Sequence, residues 1–88
     1  MAQLIGMDVE AVRQLSQQMT QSGQQIQQIV QQLTAALQQV QWIGPDRERF
    51  VSDWESQHVQ ALNQVVQSLE QASQLANQNA QEQETASA

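Results

Sequence analysis

Apolar residues recur at steps of three and four along two stretches of this chain, and its single proline, Pro45, falls between them. The first stretch runs Val12, Leu15, Met19, Ile26, Ile29, Leu33, Ala36 and Val40, with Ser22 in the one skipped place. A period of 3.5 residues held over four heptads is the pattern of a helix packed lengthwise against another helix. Val30 and Leu37 widen the stripe, which predicts contact with more than one neighbour. The second stretch runs Phe50, Trp54, His58, Leu62, Val65, Leu69, Ala72 and Ala76, broadened by Val51, Ala61 and Val66.

Capping chemistry marks where these helices begin and end. Asp8 stands where an N-cap belongs, with Glu10 favourable to the first-turn dipole and Met7 and Val12 at the positions of a hydrophobic staple. Gly23 is the weak point of the first helix, costing up to about 1 kcal/mol relative to Ala, and a close helix crossing would account for it. The periodicity stops at Gln41 and gives way to Trp42-Ile43-Gly44-Pro45-Asp46. Gly44 readily supplies a positive φ, Pro45 suits a first helical turn, and Asp46 and Glu48 complement the dipole of the helix that follows.

These signals predict one all-α domain over residues 1–88: helix 1 over about 8–41, a turn at 42–44 and helix 2 over about 45–79. Each helix is then roughly 50 Å long at about 1.5 Å per residue, and so short a connection favours an antiparallel two-helix hairpin. Residues 80–88 carry no large apolar anchor and are expected to fray. Two helices bury only the strip where they meet, so a second hairpin is expected to complete a four-helix bundle. The packing and dimer-interface positions expected on this basis are Val12, Leu15, Met19, Ile26, Ile29, Leu33, Val40, Phe50, Trp54, Leu62, Val65 and Leu69.

Composition excludes several function classes. Three Lys and Arg residues against nine Asp and Glu residues leave a formal charge of -6, which repels a phosphate backbone and disfavours anionic lipid, so neither nucleic acid nor membrane is an expected partner. There is no Cys and one His, so thiolate chemistry is absent and no metal site is expected. His58 follows Trp54 by four residues and is placed to stack on it. Asp53 and Glu55 lie two apart on a helix and do not face each other, Arg47 and Arg49 read as a solvated face, and no phosphate loop or nucleophile motif occurs. The chain reads as a non-enzyme without a cofactor. Its 23 glutamines alternate with apolar residues at helical intervals, unlike a disordered glutamine tract. No basic segment leads into a short apolar run near the N-terminus, so no cleavable signal peptide is expected.

Two periodic helices of similar length joined through Trp42-x-Gly44, in a Cys-free chain slightly under one hundred residues, form a recognisable pattern. It resembles the W-x-G family of small type VII secretion substrates, the early secreted antigen-like proteins. The resemblance spans the chain, with Trp42 and Gly44 as its signature residues. It implies a helical hairpin that pairs with itself or with a related W-x-G protein, is recognised by the type VII secretion ATPase, and passes folded from the cytoplasm to the exterior. Substrates of that family, or one member of each pair, also carry Tyr-x-x-x-Asp/Glu after the second helix. No Tyr is present here, and the nearest match is Ala80-x-x-x-Glu84, which keeps the acid and lacks the aromatic. Either the chain travels with a Tyr-bearing partner, or its machine reads a divergent tail. Competing functions are a membrane-active effector, which the charge opposes, and an intracellular coiled-coil adaptor, for which the same heptads would suffice.

Overall fold

The computed structural model describes residues 6–87. They are almost entirely helical, with no strand among the described residues. Helix α1 spans Val9–Gln39, α2 spans Pro45–Asp53, a π-helical turn occupies Trp54–His58, and α3 spans Val59–Ser87. The last three follow without a break, so two long helical rods make a particle of 65 × 17 × 17 Å.

The ends of α1 obey the capping rules. Asp8 is its N-cap, and the side-chain Oδ1 accepts from the Ala11 amide at 3.1 Å. The helix stops at Gln39, two residues before the expected 41, because Val40 turns extended while its N–H still bonds Ala36 O at 3.1 Å. Gly44 caps α2 with φ 135° and ψ 176°, a backbone conformation that side-chain-bearing residues rarely adopt. Nothing lies within 4 Å of where a Cβ would sit there, so the demand for glycine comes from the backbone alone.

Which residues lie between the rods follows a strict heptad on each side. From α1, Val9, Val12, Ser16, Met19, Gly23, Ile26 and Val30 face inward; from α3, Val59, Leu62, Val66, Leu69, Ser73, Ala76, Ala80 and Gln83 do so. The positions buried once per heptad are Ser16, Gly23 and Val30 opposite Val66, Ser73 and Ala80. The contacts climb one rod as they descend the other: Trp54 meets Thr34, Val66 meets Gly23, and Ser73 meets Ser16.

The π turn keeps that seam continuous. Val59 N–H reaches back to Trp54 O, a step of five, and the inward positions run Arg47, Val51, Trp54, Val59 and Leu62 across it. The periodicity carried a trace of this, since Phe50, Trp54, His58 and Leu62 are three successive steps of four. In an ideal α-helix such steps drift by about 120° around the axis, and one extra residue in a wide turn absorbs about 100° of it. Ser56 Oγ also bonds Ser52 O at 2.7 Å there.

The C-terminal boundary corrects an expectation. The second rod does not end near residue 79 with a frayed tail; α3 continues to Ser87, and Ala88 lies outside the described residues. The physical reason is that Ala80 and Gln83 continue the seam heptad, and a small residue buried between close helices anchors the chain as a large apolar one would elsewhere. Gln, Glu and Ala are in addition good helix formers.

The two glycines predict opposite outcomes. A Cβ on Gly23 would meet Val66 Cγ1 at 3.7 Å, Val66 O at 3.9 Å and Leu69 Cβ at 4.0 Å, ordinary contacts. Gly23→Ala should therefore raise stability by about 0.5–1 kcal/mol through helix entropy. Gly44→Ala should lower it by about 1–3 kcal/mol through backbone strain. Urea midpoints followed by circular dichroism at one fixed protein concentration check both.

Candidate functional site

The twelve positions expected to pack divide into two groups. Val12, Met19, Ile26, Trp54, Leu62 and Leu69 are half-buried along the seam, whereas Leu15, Ile29, Leu33, Val40, Phe50 and Val65 are exposed. With Leu75, these last residues are 45% to 57% exposed, and no large side chain among the described residues is fully buried. The truly buried set, Ser16, Gly23, Val30, Val66, Ser73 and Ala80, lay one residue further along each heptad. Its signal in the sequence was a seven-residue repeat of small residues, which a search for large apolar side chains passes over.

The exposed apolar residues share one side of the rod pair. Leu15 and Ile29 each precede a seam residue of α1, and Val65 and Ala72 each precede a seam residue of α3. On two right-handed helices running in opposite directions, the position before the seam falls on the same side of both. The groove near the turn demonstrates it: Leu33, Ala36, Leu37 and Val40 from α1 and Phe50 and Trp54 from the other rod line about 350 Å³ together. The opposite side is polar, with Thr20, Gln24 and Gln27 facing Glu70, and Gln17 facing Asn77. No charged residue occurs between Arg13 and Asp46, so α1 is solvated there mainly by amides.

Serine hydroxyls hold the seam at close range. Ser16 Oγ donates to Ser73 O at 2.8 Å and Ser73 Oγ donates to Ser16 O at 2.8 Å, a reciprocal pair that joins the two backbones. With both protons so used, Thr20 Oγ1 is the donor to Ser73 Oγ at 2.8 Å. No buried side-chain nitrogen or oxygen among the described residues lacks a partner.

At the turn, Trp42 is half-buried and packs on Phe50, ring centroids 5.4 Å apart and tilted 53°. The W-x-G indole thereby extends the apolar face. Ile43, the residue between Trp42 and Gly44, is 98% exposed. Trp54 donates its indole N–H to Thr34 Oγ1 at 2.8 Å, which locks the rods together near the turn. His58 is exposed, its ring 6.2 Å from that of Trp54. Phe50, expected in the core with Trp54, lies instead on the exposed face, because the inward position on that turn belongs to Val51.

The two tail positions have distinct environments. Ala80 is completely buried in the seam, so a partner cannot touch it while α3 is folded against α1. Glu84 is bound by Arg13, whose Nη1 donates to Glu84 Oε2 at 2.9 Å and whose Nη2 donates to Gln81 Oε1 at 3.3 Å. Glu10 lies 3.8 Å from the same guanidinium. Hydrogen bonding from Arg13, reinforced by its charge, holds the Glu84 carboxyl below the usual carboxylate range.

Among the described residues no group of acids and histidine is arranged to hold a metal, and no helix is long and apolar enough to cross a membrane. The chain matches no family model, no curated protein and no solved structure.

Two outcomes follow from this geometry. Ser73→Ala removes one inter-helix donor while the Ser16 carbonyl keeps its bond within α1, and should cost about 0.5–1.5 kcal/mol of stability in urea unfolding. A carboxyl with a lowered folded-state pKa stabilises above its unfolded pKa and loses that contribution as pH falls through the folded value. Amides near Glu84 should therefore lose hydrogen-exchange protection, after correction for intrinsic rates, on acidification through the lower carboxylate range, while amides around Val66 keep theirs.

Proposed function

We propose that this chain is a helical hairpin that dimerises through its apolar face into a four-helix bundle and serves, without catalysis, as a substrate or escort of a type VII secretion machine. The observation that carries the reading is the division of side chains: small residues take the most buried position of each heptad, and Leu15, Ile29, Leu33, Val40, Phe50 and Val65 lie exposed together on one face. A face of that size on so thin a particle is characteristic of a protein interaction surface. A second copy laid across it would bury both faces at once, as in a bundle whose core is shared between hairpins. A related W-x-G protein could supply the same face.

The secretion role rests on the resemblance carried by Trp42-x-Gly44, and the packing of Trp42 on Phe50 agrees with it, because that indole continues the interface to the turn. The tail supports the passenger version of the reading: Ala80 stands where the family's aromatic would be, and it is buried. A Tyr-bearing partner would then carry the signal to the ATPase, and the pair would leave the cytoplasm together.

Light scattering with circular dichroism over a dilution series tests the dimer. A helical species of about twice 9.9 kDa is expected, and Leu33→Glu combined with Val65→Glu, both on the exposed face, should halve the mass. A wild-type chain that stays monomeric throughout would overturn the homodimer and leave pairing with a related, Tyr-bearing W-x-G protein as the form of the reading to test. Secretion by the native host is the second measurement: Trp42→Ala should reduce export while the dimer persists, and a wild-type protein confined to the cytoplasm would favour the adaptor function instead.

A further inference from the structure

Helix α3 outruns its partner. The seam register that pairs Ser16 with Ser73 and Gly23 with Val66 sets Ala80 opposite Val9, so residues 81–87 continue past the first residue of α1. Arg13 reaches along that overhang. It is the only basic residue in α1, its side chain is 29% exposed, and its two nitrogens grip acceptors one helical turn apart, Gln81 and Glu84. A planar guanidinium held by two acceptors is oriented as well as attracted, which a lone ion pair is not. Glu10, 3.8 Å away on α1, keeps the cation on that side of the rods.

We propose that Arg13 is a latch that holds the overhang in helical form and engages one oxygen of the Glu84 carboxylate, whose side chain stays 54% exposed, so that a partner's cation competes with the guanidinium for this acid. The proposal rests on the reading of the tail as a recognition element of the secretion substrate. It adds an internal competitor for that element. The matching partner surface offers guanidinium or ammonium groups to an acidic helix end that bears Glu82 and Glu84, and capture exchanges one cation for another.

Hydrogen exchange on the full chain tests the latch. Arg13→Gln and Glu84→Gln should each speed exchange of the overhang amides by about two- to fivefold, the scale of an exposed ion pair. The double variant should be no faster than Arg13→Gln alone, because that change already removes the contact to Glu84. Raising the salt to about 1 M should speed the wild type and leave Arg13→Gln unchanged. No effect of Arg13→Gln, or effects that add in the double variant, would overturn the latch. Competition for Glu84 is tested with a hexa-arginine peptide as probe: Arg13→Gln should bind it about two- to fivefold more tightly than Arg47→Gln, which removes the same charge at the far end of the rods. Equal affinities would overturn the competition. Neither readout depends on export, so an overhang that opens as expected in a protein its host does not secrete would leave the latch standing and remove only the secretion reading.

Discussion

Everything else in this molecule depends on how closely the two rods approach. Ser16 and Ser73 each bond the backbone carbonyl of the other at 2.8 Å, so one short side chain spans the gap between the two helix backbones. At that separation only Gly, Ala, Ser and Val occupy the innermost positions, while Ile26, Leu62 and Leu69 are half-buried beside them and Leu15, Ile29, Leu33 and Phe50 lie exposed on the flank. The hydroxyls serve in place of bulk: they add a second hydrogen bond to helix carbonyls across the seam and fix the register, since a shift by one residue would break both bonds together.

The same closeness creates the exposed apolar face. A pair of helices with large residues between them could bury most of its apolar area internally and would have little left to offer. Here the bulky residues line one face from Leu15 and Leu75 at one end to Val40 and Phe50 at the other, and Trp42 extends that face into the turn. The π turn at Trp54–His58 keeps the short α2 in phase with α3, so that both the seam and the apolar face run unbroken to the turn. A proposed second copy would thus meet one continuous strip.

Much of the fold was legible in the residues. Asp8 as a cap, the turn at Trp42-Ile43-Gly44-Pro45 and the two helical stretches all follow from local chemistry, in which each residue's preference is nearly independent of distant ones. The assignment of inward positions was only half legible. Val12, Met19 and Ile26 belong equally to the stripe of large apolar residues and to the true seam, and the two alternatives differ by one residue per heptad. Hydrophobicity favours Leu15 and Ile29 as the second inward set, while close packing selects Ser16 and Val30. The tail misled for the same reason: Ala80 looks like a residue with nothing to bury, yet in a narrow seam it is the most buried of the apolar side chains. The long reach from Arg13 to Glu84, 71 residues apart, leaves no mark in local spacing.

By itself, then, the amino-acid sequence determined that the chain is helical, where the helices turn, and that each is apolar over more of its surface than one neighbour can cover. Those properties reside in backbone propensity, capping and periodicity, which act within a few residues. Only the tertiary structure decided which heptad faces inward, that Leu15, Ile29, Val65 and their neighbours collect on one side, and that Arg13 reaches Gln81 and Glu84 in the final turns. These depend on the distance between the two backbones, and that distance is set by the smallest side chains in the seam.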